Sequence, residues 1–312
     1  MDASRQSVKA FSYQTRKGEI RVGVETEEGR FNFTHAWEMY KDLKAKGRGP
    51  DFHFLQLMVE LDFFSGETFR EVLATLRRIR PLDDLCLDNA IRFQVPIARP
   101  QKILCIGRNF KAHAEEWGAQ VPEEPIFFAK MPSALLPHEG TIVLPPGVGR
   151  VDHELELAVV IGKGGKNIPA SAAWDYVAGY TIANDVTARD LQRRDMEAKR
   201  PWLRSKSFDT FCPIGPYLVP RDEMPAIQQA HMELRVNGQT RQQSTVGMMV
   251  FSIPELVSYV SRYMTLSPGD ILCTGTPEGT LPLQAGDIVE AAIEGLGVLR
   301  NRVAAGEQRG SA

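Results

Sequence analysis

Cysteine is scarce in this chain, four in 312 residues, and Cys86, Cys105, Cys212 and Cys273 form no Cys-x-x-Cys pair. That spacing excludes a thiolate zinc site and the dense disulfide framework of a small secreted domain, so the four read as reduced, mostly buried thiols. A surplus of either charge is also missing, since 37 basic side chains against 39 acidic leave a net charge of −2. A nucleic-acid binder would carry a basic excess, and no DNA or RNA partner is expected. No apolar run approaches the ~20 residues that span a bilayer, and the start MDASRQSVKAF lacks the apolar core of a secretory signal. These absences lead to the expectation of a cytoplasmic protein with no membrane partner. Internal repeats and low-complexity tracts are absent too, and only the tail GEQRGSA reads as frayed.

What is present, 43% hydrophobic and 24% charged residues, is the composition of a globular chain with room for one large domain or two modest ones. Residues 1–95 open with a hairpin pattern from Lys9 to Glu25 that turns near Lys17-Gly18, followed by helical patterns from Trp37 and Glu67. This predicts a small N-terminal α+β domain. Pro81, Pro96 and Pro100 disfavour regular structure on the way into the second domain, residues 96–312. There KILCIG, PIFFAK, TIVL, ELELAVVIG, YVAGYTIAND, HMELRVNG, DILCTG and DIVEAAI recur with only brief helical interruptions. Such short apolar segments predict an α+β, mainly β fold with a rolled or barrel-like sheet, not a doubly wound one.

In VDHELELAVVIG, Glu154 and Glu156 stand two apart in a strand pattern, which points both side chains to one face. Taken alone, the pair fits a solvated face of an antiparallel strand as readily as a ligand pair. A third acid, Asp185, follows the strand-like YTIAN where the chain turns into the helix-like TARDLQRRD, and an acid near a helix N-terminus needs no further reason. Together the three acids supply hard oxygen ligands suited to Mg²⁺, Mn²⁺ or, in vitro, Ca²⁺, with positions left open for water and substrate. Zinc would want a His/Cys cluster that the acids do not have beside them.

The segments GRNFKAHAEE, FFAKMPSAL, DHELELAVVIG, ANDVTARDLQ, KSFDTFCPIGP and LCTGTPEG occur in an order that resembles the fumarylacetoacetate hydrolase superfamily, in its acylpyruvase and 2-hydroxyhepta-2,4-diene-1,7-dioate isomerase-like branch. The resemblance spans about residues 100 to 304, and the first 90 residues carry little of it. It implies a mixed β-sandwich roll, a divalent metal held by Glu154, Glu156 and Asp185, homodimers, and substrates with a 2-oxo acid or 1,3-dicarbonyl end. By the same resemblance Lys130 and Lys206 match two active-site lysines, and Arg108 matches an arginine that holds substrate.

His113 and Glu116, at i and i+3, would share one face of a helix after Asn109, where the carboxylate orients the imidazole and raises its basicity. That is the arrangement of a general base activating water, and Lys206 joins them as a catalytic candidate. Arg108, Lys130, Thr276 and Gly275 are the substrate-binding candidates, the last two in TGTPEG, whose amides and hydroxyl can receive a carboxylate. Two departures from the family pattern stand out: Gly279-Thr280-Leu281 where a further glycine is usual, and Phe110 where many members have tyrosine. His138 and His153 have no comparable partner and read as loop or surface residues, with His153 also a candidate to support Glu154. From Arg189 to Lys206 seven basic residues face three acidic ones, including Arg193, Arg194, Arg200 and Arg204. The run fits a solvated helix face or a positive rim that attracts dicarboxylates.

The expected function is metal-dependent C–C hydrolysis of a β-diketo acid such as an acylpyruvate. Isomerisation of a 2-hydroxydienedioate and decarboxylation of a 2-oxo diacid would use the same metal site. A metabolite-binding regulatory protein is the alternative from outside enzymology. A two-metal phosphoesterase would need more acidic ligands than the chain groups together.

Overall fold

A computed structural model of the protein describes residues 7–44, 47–88, 91–116, 118 and 120–307. Most of the tail expected to fray, and the first six residues of the segment read for a leader, lie outside the described residues.

The long strand Leu155–Ile161 is buried along its whole length and pairs antiparallel with Val177–Asn184 on one side and Ile271–Cys273 on the other. Beyond them the sheet runs on one flank through Ile103–Gly107 to Ile126–Lys130, and on the other through Cys212–Pro220 to Lys9–Gln14, Ile20–Thr26 and Gly29–Asn32. Ile271–Cys273 and Ile103–Gly107 are parallel. A second sheet has the order Gln239–Thr245, His231–Val236, Ile288–Ile293, Gly297–Ala305 and Thr141–Leu144. This is the mixed, mainly β architecture that the sequence predicts, and the hairpin at Lys9 closes as expected, with Gly18 at φ +86°.

Strand parity assigns each face of the large sheet to a different core. Leu157, Val159 and Ile161 pack with Leu234, Val289 and Leu299 of the second sheet. Ala158 and Val160 point the other way, into a core with Cys105, Cys273 and the N-terminal Val22, Phe33, Phe69 and Leu76. The boundary expected near residue 95 therefore separates stretches of chain, while the sheet and the second core run across it. Glu156 has the parity of Ala158, and its cross-strand partner Ala183 belongs to that second core. The carboxylates thus lie on the face covered by the N-terminal segment.

Candidate functional site

The strand geometry delivers the acids as predicted: Glu154 directly before Leu155–Ile161, Glu156 within it, and Asp185 directly after the neighbouring Val177–Asn184. Asp185 N–H donates to the Glu154 carbonyl at 2.8 Å, and Asn184 Oδ1 accepts from Glu154 N–H at 2.8 Å, which locks the two strand ends together. All three carboxyl groups are buried, with one oxygen of each within 4.8 Å of the others. Asp185 precedes helix Arg189–Glu197 by four residues, so it is no capping acid of that helix.

Buried charges need partners, and here lysines provide them. Lys206 Nζ bonds Glu154 Oε2 at 2.8 Å and Asp185 Oδ2 at 2.5 Å, while Lys130 Nζ bonds Asp185 Oδ1 at 2.5 Å. Burial works against ionisation of Glu154, but Lys206 and Arg189 outweigh it and hold that carboxyl well below the usual range. Glu156 goes the other way, since burial and then the charges of Asp185 and Glu154 push its carboxyl well above the usual range. The charge of Lys206 and then the Gly275 amide, which donates to Oε2 at 2.8 Å, work against that rise. A divalent cation, with twice the charge of an ammonium, answers the need of three converging carboxylates. The all-oxygen donor set, with no His or Cys among the grouped ligands, fits Mg²⁺, Mn²⁺ or Ca²⁺.

A cavity of about 290 Å³ opens onto this cluster. His113, on the short helix Lys111–Glu116, and Arg108, Lys206 and Thr276 line it together with the three acids. Burial lowers the His113 pKa, against the pull of Glu154. Its Nδ1 lies 3.5 Å from Glu116 Oε2 and makes no hydrogen bond among the described residues. Both Glu116 oxygens meanwhile accept from Gly279 N–H at 3.2 Å, so the helix is tied to the 274–279 loop.

Two of the expected substrate contacts sit elsewhere. The Lys130 side chain is fully buried against Asp185 and the Val186 carbonyl, and the Gly275 amide faces Glu156. His153 is also no surface residue: it is 0% exposed, with Nδ1 3.0 Å from Gln242 Oε1. That partner lies in strand Gln239–Thr245 of the second sheet, a long-range contact that local sequence does not reveal.

Arg189 is the main residue that sequence reasoning passed over. It is buried, donates through Nε to Asp152 Oδ2 at 2.8 Å, and pairs with Glu154. It also donates to Gln192 Oε1 at 2.8 Å, one turn along its helix. The basic run therefore divides. Arg189 and Lys206 enter the site, Arg193 lies on the cavity rim, and Arg204 forms a two-pronged pair with Asp195 at 2.8 and 2.5 Å. The apolar wall is likewise new, with Trp202 edge-on to Phe128 at 5.3 Å between ring centres, and Met196 beside them.

His138 is half-buried away from the site, where Nδ1 accepts from Arg300 N–H at 3.1 Å. Burial lowers its pKa, Glu139 raises it, and Arg300 and Arg30 lower it further; Phe93 packs edge-on against the ring. Because the unfolded chain binds the proton more readily, with a reference pKa of about 6.5, stability falls as pH drops through and below that value. Urea unfolding between neutral pH and pH 5 is expected to show this loss. The His138→Asn variant should have a shallower slope, and an unchanged slope would clear His138 of the effect.

Comparison with known proteins agrees with this geometry. Residues 102–304 match the family described as fumarylacetoacetate (FAA) hydrolase C-terminal. A mitochondrial oxaloacetate tautomerase of Rattus norvegicus is 44% identical over 220 residues, covering 68% of this chain and 69% of its own. Fumarylpyruvate hydrolase from Pseudomonas aeruginosa, solved in complex with Mn²⁺ and pyruvate, is 40% identical with a TM-score of 0.63, covering 66% of this chain and 91% of that one. Fumarylacetoacetate hydrolase from psychrophilic Exiguobacterium antarcticum is 30% identical with a TM-score of 0.76, covering 96% of this chain and 100% of its own. Among the described residues no helix is long and apolar enough to cross a membrane. A sheet that gathers three acids at neighbouring strand ends, and a sequence match over the residues that build it, have one conclusion: the chain belongs to the fumarylacetoacetate hydrolase family.

Proposed function

We propose that the chain is a divalent-metal-dependent enzyme that moves a proton beside the carbonyl of a short 2-oxo diacid, a keto–enol isomerisation of the oxaloacetate type. The observation that carries this reading is the buried His113 opening on the same cavity as the three-carboxylate cluster. Glu154, Glu156 and Asp185 would hold Mg²⁺ or Mn²⁺, which when bound supplies a Lewis acid for the carboxylate and carbonyl oxygens of a 2-oxo acid. His113 takes the proton from the carbon next to that carbonyl while the enolate oxygen gains a proton to give the enol, and in the reverse direction the oxygen loses its proton and His113 returns one to the carbon. Arg108, Arg189 and Thr276 receive the negative ends of the substrate, and Lys206 balances charge between Glu154 and Asp185. Lys130 and the Gly275 amide orient Asp185 and Glu156 and do not touch substrate.

A second reading, C–C hydrolysis of an acylpyruvate-like acid, is favoured by Glu116 standing 3.5 Å from His113 Nδ1. Closing that gap would fix the Nδ1–H tautomer and leave Nε2 to activate water. Proton NMR in D₂O with Mg²⁺ separates the two. Faster enol loss from oxaloacetate, with deuterium entering at the methylene carbon, is expected. Release of pyruvate from acylpyruvates at a higher kcat/KM would make hydrolysis the main reaction, and turnover of neither would leave a metabolite-binding role.

The chain is further read as a homodimer built by residues 96–312, because the sheets leave strand edges that need covering. Light scattering of the full chain is expected to give twice the 34.8 kDa mass, and a monomer mass would overturn it.

A further inference from the structure

Strand Gln239–Thr245 is polar throughout, yet Gln242 in its middle is 1% exposed. Leu234 pairs with Gln242 while the next residue, Arg235, pairs with Thr240, so Arg241 is the extra residue of a bulge. Gln242 stands opposite Leu234, which is 0% exposed, so strand parity points it inward beneath the 274–279 loop, and the bulge follows directly beside it. The loop packs on the same bulge: Gly279 has φ +89°, and a Cβ there would run into the Arg241 carbonyl.

Every hydrogen-bonding capacity of the Gln242 amide is used. Oε1 accepts from Leu155 N–H at 3.0 Å and lies 3.0 Å from His153 Nδ1; Nε2 donates to the Pro277 carbonyl and to Thr276 Oγ1, both at 2.8 Å. A backbone N–H only donates and a backbone carbonyl only accepts, so these two contacts fix which end of the amide is oxygen. His153 must then carry its proton on Nδ1, because Gln242 Oε1 has none to give. Thr276 Oγ1 must accept from Nε2, so its own hydroxyl proton is directed elsewhere, and Thr276 lines the cavity.

We infer that Gln242 is a positioning residue, which turns Thr276 so that its hydroxyl meets the cavity as a donor for an anionic oxygen of a 2-oxo acid. This rests on the reading of Thr276 as a substrate contact. Gln242 itself acts from behind the loop and does not touch the ligand.

The first test needs no metal: long-range proton–nitrogen NMR of the full chain should show His153 protonated on Nδ1 and bare on Nε2, and the opposite tautomer overturns the assignment. The second is calorimetry of pyruvate binding in the presence of Mn²⁺. Thr276→Val and Gln242→Leu are each expected to weaken binding about tenfold, Thr276→Ser to bind like the parent, and the double variant to lose no more than about tenfold. A double loss of about a hundredfold, or normal binding by Gln242→Leu beside a weakened Thr276→Val, overturns the inference and leaves the Thr276 contact standing. Normal binding by Thr276→Val overturns that contact and this role with it. Should Gln242→Leu fail to fold, Gln242→Glu serves. Its carboxylate still accepts from Leu155 N–H but draws the Thr276 proton toward itself, so the same loss is expected and full affinity overturns the proposal.

Discussion

Alanine at position 154 is expected to abolish tight Mn²⁺ or Mg²⁺ binding and, with it, activity. The cluster offers three carboxylates, and two cannot supply the charge and coordination of three. Glu154 is also a partner of Lys206, at 2.8 Å, and of Arg189, so its removal takes one carboxylate from each of two buried cations and leaves Lys206 with Asp185 and Arg189 with Asp152. Breaking a buried pair costs up to about 3–5 kcal/mol where a charge is left uncompensated and less where a second carboxylate remains, still a sizeable share of the stability of any domain. Lost binding in Glu154→Ala alone could thus follow from lost structure. Glu154→Gln separates the two effects, since its amide oxygen still accepts from Lys206 while the charge is gone. Calorimetric titration with Mn²⁺, paired with urea unfolding, should find Glu154→Gln better folded than Glu154→Ala and equally unable to hold metal. Unchanged metal affinity in Glu154→Gln would remove Glu154 from the ligand set.

The acids were legible in the sequence because period-two geometry is local: spacing alone puts Glu154 and Glu156 on one face, and the strand-to-helix transition places Asp185 at an end. Partners across the fold are not local. Arg189 looked like one more cation in a basic run, since the acid that buries it, Asp152, lies 37 residues earlier. Gln242 sits in QTRQQST, which reads as a solvated strand, and only its pairing opposite the buried Leu234 shows that it faces inward. Strand Cys212–Pro220 was hidden by Pro213, Pro216 and Pro220, each without an amide donor. The sheet accommodates them because pairing there is discontinuous, with a register shift against Val177–Asn184 and, elsewhere along the strand, only Ala10 opposite Leu218 and the short parallel pairing of Cys212 and Pro213 with Leu135 and Leu136. Helix Ile253–Tyr263, by contrast, carries a readable start. Ser252 and Glu255 form a capping box in which Ser252 N–H donates to Glu255 Oε2 at 2.7 Å.

His113→Ala is expected to lower turnover by about 10² to 10⁴-fold while leaving metal affinity intact, because a general base contributes that much and His113 is no ligand. Glu116→Gln should act in the same direction but less. Gln retains an oxygen for Gly279 N–H, at 3.2 Å in the parent, and so keeps the helix and loop tied, while the charge that supports a protonated His113 is lost. That charge raises the His113 pKa against burial, so the acid limb of kcat/KM should move to lower pH in Glu116→Gln. The reactions then separate by what each asks of the ring. Tautomerisation needs a base at carbon and hydrolysis needs one at water, so both should suffer in His113→Ala. Loss of CO₂ from a 2-oxo diacid needs no proton removed and no water activated, and any such side activity should survive far better. Equal losses in all three, measured with Mn²⁺ saturating, would make His113 a residue that holds substrate. No loss in any would return His113 and Glu116 to the role of a helix face, and the proton-moving group would have to be sought among the cavity's remaining titratable residues, Lys206 first, since it is buried between two of the acids.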